Sequence, residues 1–104
     1  MLFRSGAIFE RTVPRLVAVD GIAIDAPLEG TMVVIRNTDQ PGVIGAVGTI
    51  LGNHKVNIAN FALGRSGDSA VGVVNVDETS TIPQAVLDEI RRVPGVRDVR
   101  IVRV

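Results

Sequence analysis

Apolar residues follow two different periods along this chain, and the change of period separates its helices from its strands. At 42–54 and 81–93 apolar side chains recur three and four residues apart, which predicts two amphipathic helices. The two stripes are Val43, Val47, Ile50 and Leu51 in the first helix, and Val86, Leu87, Ile90 and Val93 in the second. Thr81 is expected to cap the second helix, with Pro83 in its first turn and Gln84 completing a capping box.

Runs of β-branched residues predict the strands around these helices. The predicted strands are 31–36, which is apolar on both faces, 56–65, 69–77 and 96–104. Residues 31–104 therefore follow the order βαββαβ. This order is typical of a ferredoxin-like α+β fold, with an antiparallel sheet and both helices on one face.

The first thirty residues have a different pattern. Asp20-Gly21 separates two apolar runs, 15–19 and 22–25, and this pair favours the type I′ turn of a β-hairpin. Because an isolated hairpin is marginally stable, its partner strands are expected on another chain or in a part of the protein that is absent here. Residues 26–30 are predicted to form a linker.

The chain is therefore expected to divide near Gly30. Residues 1–30 are interpreted as a hairpin remnant of a preceding domain plus a linker, and 31–104 as a separate domain. A further strand is predicted at 7–10, whereas Met1–Ser5 has no clear place in the pattern.

Composition excludes several classes of function. Eleven basic and eleven acidic residues give a formal net charge of zero, and there are three Phe but no Tyr or Trp. Nucleic-acid binding is not expected, since it usually needs a basic stripe and often stacking aromatics. The absence of Cys excludes disulfides and thiolate chemistry, and no apolar run is long enough to span a membrane. We expect a soluble, cytoplasmic domain.

No catalytic or metal site is predicted. The glycines at 42, 45 and 48 are spaced G-x-x-G-x-x-G, whereas a dinucleotide fingerprint needs G-x-G-x-x-G. Gly45 and Gly48 are instead expected to let the first helix approach the sheet closely. His54 has no clear acidic partner in sequence, so we expect a solvated helix end. The stretch 64–67 is interpreted as a turn, and Asp88-Glu89 as solvated surface.

The loop 37–42 is the one candidate binding element. It is well suited to a simple turn, in which Asp39 caps the helix, Pro41 presets φ and Gly42 frees the first turn. A second interpretation is also open: Asn37 and Asp39 could bind an ammonium group while backbone N–H groups at 42–44 receive a carboxylate. An amino acid carries both charges a few ångströms apart.

Residues 31–104 resemble an ACT domain, a βαββαβ module that binds amino acids in metabolic enzymes. The stretch Asp39–Ile44 is similar to the D-R-P-G-V signature of that family, and Val56–Ala59 to its second strand start. Further stretches are similar to the C-terminal region of the bacterial D-3-phosphoglycerate dehydrogenase family. They are Gly45–Thr49, Ala62–Arg65, Asn75–Asp77 and Val93–Val96, together with Pro14–Gly21 and Ala26–Gly30 from the intervening domain that precedes ACT.

The resemblance implies allosteric control by L-serine or a related amino acid. By matching position, the effector contacts would be Asn37, Asp39 and Asn57, with the backbone of Gly42, Val43 and Ile44 taking the carboxylate. Asn37 stands where His or Tyr is common, and Gln40 replaces the usual Arg. No catalytic residue and no cofactor are expected in this chain, although the parent enzyme of the resemblance uses NAD.

The resemblance also implies a homodimer. ACT modules pair through a sheet edge, and the second strand of the module is a suitable edge because it carries Phe61 and Leu63 without Lys or Pro. Asn57 would then face the loop of the partner chain. Two alternatives stay open: a dimerisation module that binds no ligand, and an ACT domain of another enzyme such as an iron–sulfur serine dehydratase.

Overall fold

The computed structural model describes residues 15–77 and 82–103, which form six strands and two helices. The elements are β1 Arg15–Val19, β2 Ile22–Pro27, β3 Thr31–Thr38, α1 Val43–Asn53, β4 Ile58–Ser66, β5 Ser69–Val76, α2 Gln84–Arg91 and β6 Val96–Arg103. The strand predicted at 7–10, the segment Met1–Ser5 and the cap expected at Thr81 lie outside the described residues.

Four strands form one antiparallel sheet in the order β4-β5-β3-β6. Both helices pack on the same face of it, and their buried side chains share one core with this face. That core contains Val33, Ile35, Val43, Val47, Leu51, Val74, Val86, Ile90 and Val99, with Ile50 and Val93 partly buried beside it. The predicted ferredoxin-like α+β fold is confirmed, and β3 and β5 are its inner strands.

The hairpin β1–β2 covers the opposite face of the sheet. Asp20 (φ 50°) and Gly21 (φ 79°) both have positive φ, as the predicted type I′ turn requires. Alternate residues of β2 are buried against the sheet; this second core contains Ile22, Ile24, Ala26, Met32, Val71 and Val73. Among the described residues the hairpin forms no hydrogen-bonded pair with a strand of the four-stranded sheet. It packs face to face on that sheet because both contacting surfaces are apolar. Each hairpin strand pairs only with the other in the part of the chain that the structure describes, so the expectation that further partner strands lie elsewhere stays a prediction.

Gly64 lets the hairpin approach β4. A Cβ at Gly64 would lie 2.2 Å from the carbonyl oxygen of Ala23, so only glycine fits there. The stretch 64–67 is therefore not a turn, since β4 continues to Ser66. Gly45 and Gly48 do not provide the close approach expected of them, because a Cβ at either would meet nothing within 4 Å.

Several element ends differ from the prediction. Ala26 and Pro27 belong to β2 rather than to a linker, and β3 extends to Thr38. The N-cap of α1 is Gly42, in a left-handed conformation with φ 91°, so Asp39 does not cap this helix. Pro83, expected in the first turn of α2, is its N-cap residue and has no capping side chain.

His54 and Glu89 join the two helices. The Nε2 atom of His54, at the C-terminal end of α1, contacts the Oε2 atom of Glu89 in α2. Both side chains are partly exposed, at 27% and 39%. The prediction of an unpaired His54 is wrong because the partner is 35 residues away in sequence, and only the packing of the two helices brings it close.

Candidate functional site

The loop between β3 and α1 is fixed by contacts to two other turns at the same end of the sheet. The backbone N–H of Thr38 donates to the carbonyl of Gly95 (2.7 Å), and that of Asp39 to the carbonyl of Asp68 (2.8 Å). The Gln40 side chain donates to the carbonyl of Pro94 (3.3 Å). These three hydrogen bonds tie the loop to the turns that contain Asp68 and Pro94-Gly95.

Asn37 lies beneath this loop and is almost completely buried. Its side chain is 2% exposed, on the face of the sheet that α1 covers. The Nδ2 group donates to the carbonyl of Thr38 (2.9 Å), whereas Oδ1 has no hydrogen-bond partner among the described residues. Since a buried acceptor without a donor is costly, any N–H group that reached this atom would stabilise it.

The start of α1 presents free backbone donors. The first N–H that reaches back along the helix is that of Ala46, which donates to the Gly42 carbonyl (3.0 Å). The preceding N–H groups have no capping side chain among the described residues. Val43 is buried, Ile44 is half-buried and Gly42 is exposed, so this helix start reaches the surface on one side. An anion placed there would also gain from the helix dipole.

Asp39 stands between this helix start and strand β4. Its Oδ1 atom lies 3.4 Å from Nε of Arg65, and the two side chains are 33% and 65% exposed. An ion pair this open to water is weak, because solvent screens both charges. The carboxylate is therefore available to a stronger cationic partner.

Asn57 lies far from the other predicted contacts within one chain. Asn37 pairs with Ala70 of β5, whereas Ile58, which follows Asn57, pairs with Val76. These two positions of β5 are six residues apart, which corresponds to about 20 Å at roughly 3.3 Å per residue. The structure thus brings together Asn37, Asp39, Gly42, Val43 and Ile44, and leaves Asn57, which is exposed, at the far end of β4.

Arg65 is the neighbour of the site that the sequence pattern did not reveal. It lies at the end of the predicted strand 56–65 and also in the stretch 64–67 that was interpreted as a turn, 26 residues from Asp39 in sequence. The only available signal was alternation along β4: Ala62 packs toward the hairpin and Phe61 toward the helices. Residue 65 therefore lies on the same face of the sheet as Phe61, which is the face that carries the helices.

No residue of the α1 start lines a described cavity, although the smallest, about 120 Å³, is lined by Asn37 together with Asp20, Arg36 and Arg97. The largest, about 360 Å³, lies between the hairpin's C-terminal end and the start of β4, and its polar lining residues are Glu29, Asn75 and Asp77. No group of three or more potential metal ligands occurs in residues 15–77 and 82–103. Nor does that part of the chain contain a helix long and apolar enough to cross a membrane. Gly45 and Gly48 lie inside α1, so they do not form a glycine-rich turn with Gly42.

The fold and the loop place this chain in the class of ferredoxin-like α+β modules with a candidate ligand site at a strand-to-helix junction. A family model described as "ACT domain" matches residues 31–95. The chain belongs to the ACT domain family.

Relatives with curated names are similar over most of this chain. D-3-phosphoglycerate dehydrogenase of Methanocaldococcus jannaschii is 34% identical over 99 residues, covering 93% of this chain and 18% of the relative. The enzymes of the same name from Synechocystis and Bacillus subtilis are 35% and 31% identical, over 90% and 85% of this chain. The chain spans 17% of the length of each of these two.

Solved structures show the same fold at lower identity. The ACT domain from GTP pyrophosphokinase of Chlorobium tepidum matches with a TM-score of 0.56 and 16% identity, over 71% of this chain and 97% of that one. A protein of unknown function from Galdieria sulphuraria matches with a TM-score of 0.60 and 16% identity, over 73% and 44%.

Proposed function

We propose that this chain is the regulatory region of a D-3-phosphoglycerate dehydrogenase and that it binds L-serine as an allosteric effector. Residues 31–95 match the ACT family, and the named relatives extend the similarity across the hairpin. Oxidation by NAD, in the cytoplasm, would belong to other domains of the parent enzyme. The role of this chain would be to bind the effector and thereby change the activity of those catalytic domains.

One observation carries this proposal: the uncapped start of α1 lies beside a carboxylate and a buried, unpaired amide oxygen. The ligand's carboxylate would accept from the backbone N–H groups of Gly42, Val43 and Ile44. Its ammonium group would donate to Asp39 and to Oδ1 of Asn37. A zwitterion satisfies both halves of the site at once.

A second copy of the chain would complete the site. Strand β4 is an edge strand, and its side chains Ile58 and Leu63 are each 41% exposed. If two copies pair antiparallel through β4, the start of one strand meets the end of the other. Asn57 of each copy would then lie beside the loop of its partner. Such pairing would bring Asn57 to a site although it is about 20 Å from the loop of its own chain.

Calorimetry with L-serine, glycine and L-alanine tests the ligand. We expect Asp39→Ala to weaken serine binding by about 1.5–3 kcal/mol and Asn37→Ala by about 0.5–1.5, since Asp39 meets the ammonium group with a full negative charge and Asn37 with a neutral amide. Equal losses in the two variants would show that the ammonium group does not lie at Asp39. A stable dimer that releases no heat with any amino acid would favour a purely structural module.

A further inference from the structure

Arg65 faces the proposed effector site from a different element of the fold. Its neighbour Gly64 points to the hairpin side, so Arg65 points to the helix side of the sheet. There its guanidinium Nε atom lies 3.4 Å from Asp39 Oδ1. Asp39 and Arg65 thus place an anion and a cation at the border of the site, and in this structure the two groups pair with each other.

We infer that Arg65 binds the carboxylate of the effector, so that Asp39 and Arg65 together recognise the two charges of an α-amino acid. This inference rests on the proposed function. A zwitterion that enters the site exchanges one ion pair for two: its ammonium group replaces Arg65 on Asp39, and its carboxylate replaces Asp39 on Arg65. No charge of the protein is left unpaired by this exchange.

The exchange has a low cost because of where the pair lies. Arg65 is 65% exposed, and its ion pair with Asp39 is accordingly weak. Guanidinium also offers two parallel N–H donors that match the two oxygens of a carboxylate. The helix start and Arg65 would thus share the carboxylate from two sides.

The same argument defines the class of ligand. An amine without a carboxylate would take Asp39 from Arg65 and leave that arginine without an anionic partner. A carboxylic acid without an ammonium group would do the reverse. Both are expected to bind much more weakly than an α-amino acid, so the pair selects for zwitterions.

A competing possibility is that Arg65 only blocks Asp39. In that case removal of the guanidinium would free Asp39 and strengthen binding of any cationic ligand. The two roles therefore predict opposite signs for the same substitution.

Calorimetry on the full chain with L-serine and with ethanolamine, which is serine without its carboxylate, distinguishes these roles. Arg65→Ala should raise the Kd for L-serine about tenfold. It should leave the Kd for ethanolamine unchanged or lower. The matched control is Arg100→Ala, which removes an arginine that is 74% exposed and paired with Asp98 at 3.0 Å on the opposite edge strand; its serine affinity should equal that of the wild type.

An unchanged or lower Kd for serine in Arg65→Ala would overturn the inference and leave the proposed function intact. Equal losses for serine and ethanolamine would also overturn it, because Arg65 would then act on the ammonium or on the fold. If the wild-type chain binds no serine, the proposed function itself fails and this inference fails with it.

Discussion

A single methyl group at Gly64 tests how the hairpin is held on the sheet. The Cβ of Gly64→Ala would lie 2.2 Å from the Ala23 carbonyl oxygen and 3.0 Å from Cγ2 of Ile22. Contacts this short cannot persist, and the first of them is to backbone, which cannot rotate away. The hairpin must therefore shift outward or leave the sheet.

The loss of stability expected for Gly64→Ala depends on which of these two responses costs less free energy. Undocking would expose Ile22 and Ile24, which are 8% and 7% exposed, at about 1.5–3 kcal/mol each, or roughly 3–6 kcal/mol together. A backbone shift that accommodates an extra methyl group typically costs about 1–3 kcal/mol. The smaller cost prevails, so we expect Gly64→Ala to lower the free energy of unfolding by about 1–3 kcal/mol with the hairpin still attached.

Urea denaturation followed by circular dichroism measures this change. The control is Gly48→Ala in α1, where a Cβ meets nothing within 4 Å. There the higher helix propensity of alanine should raise stability by about 0.5–1 kcal/mol. Amide hydrogen exchange of β2 should accelerate in Gly64→Ala and not in the control. A Gly64→Ala chain as stable as the wild type would refute the close approach of Ala23.

Two further substitutions test the sheet edge and the contact between the helices. Leu63→Lys places a charge in the proposed dimer interface at β4 and should make the chain monomeric in sedimentation with or without serine. The control Val102→Lys, on the opposite edge strand, should leave the dimer intact. If Leu63→Lys still forms dimers, the interface lies elsewhere. His54→Ala removes the contact with Glu89 and should cost up to about 1 kcal/mol in thermal or urea unfolding, because both groups are partly exposed. A loss several times larger would mean that His54 also holds the two helices by packing.

The fold could be predicted from sequence because its signals are local. The stripes of both helices and the Asp20-Gly21 turn lie within a few residues of each other, and each determines its own element. The docking of the hairpin is not local, but a signal for it exists in β3. Met32 and Val33 are both buried although they point to opposite faces, so a sheet with helices on one face only needs a second cover on the other.

The candidate site could be predicted only in part, because some of its contacts join residues that are distant in sequence. Asp39 and the start of α1 are neighbours in sequence, whereas Arg65 reaches Asp39 only after β4 pairs with β5. The burial of Asn37 was missed because β3 extends two residues beyond its apolar run. Strand ends depend on the register of neighbouring strands, and in β3 that register is set by β5 and β6.

Both faces of the sheet are covered, which limits where a second chain can pair with it. This limit determines how an effector could control the assembly of the regulatory region. Helices occupy one face of the sheet and the hairpin the other, so in the part of the chain that the structure describes the sheet itself is open only at its edges β4 and β6. A symmetric pairing through β4 creates two equivalent sites, each with residues from both chains. If the monomer binds no effector, each site stabilises the dimer by RT ln(1 + [L]/Kd), about 2.7 kcal/mol when the effector is at a hundred times its Kd. Two sites together contribute about 5.4 kcal/mol, which tightens the dimer about ten-thousand-fold. A dimer with a dissociation constant near millimolar without serine would then be nearly complete at micromolar chain concentrations with it, so effector concentration alone could switch the assembly state of the regulatory region.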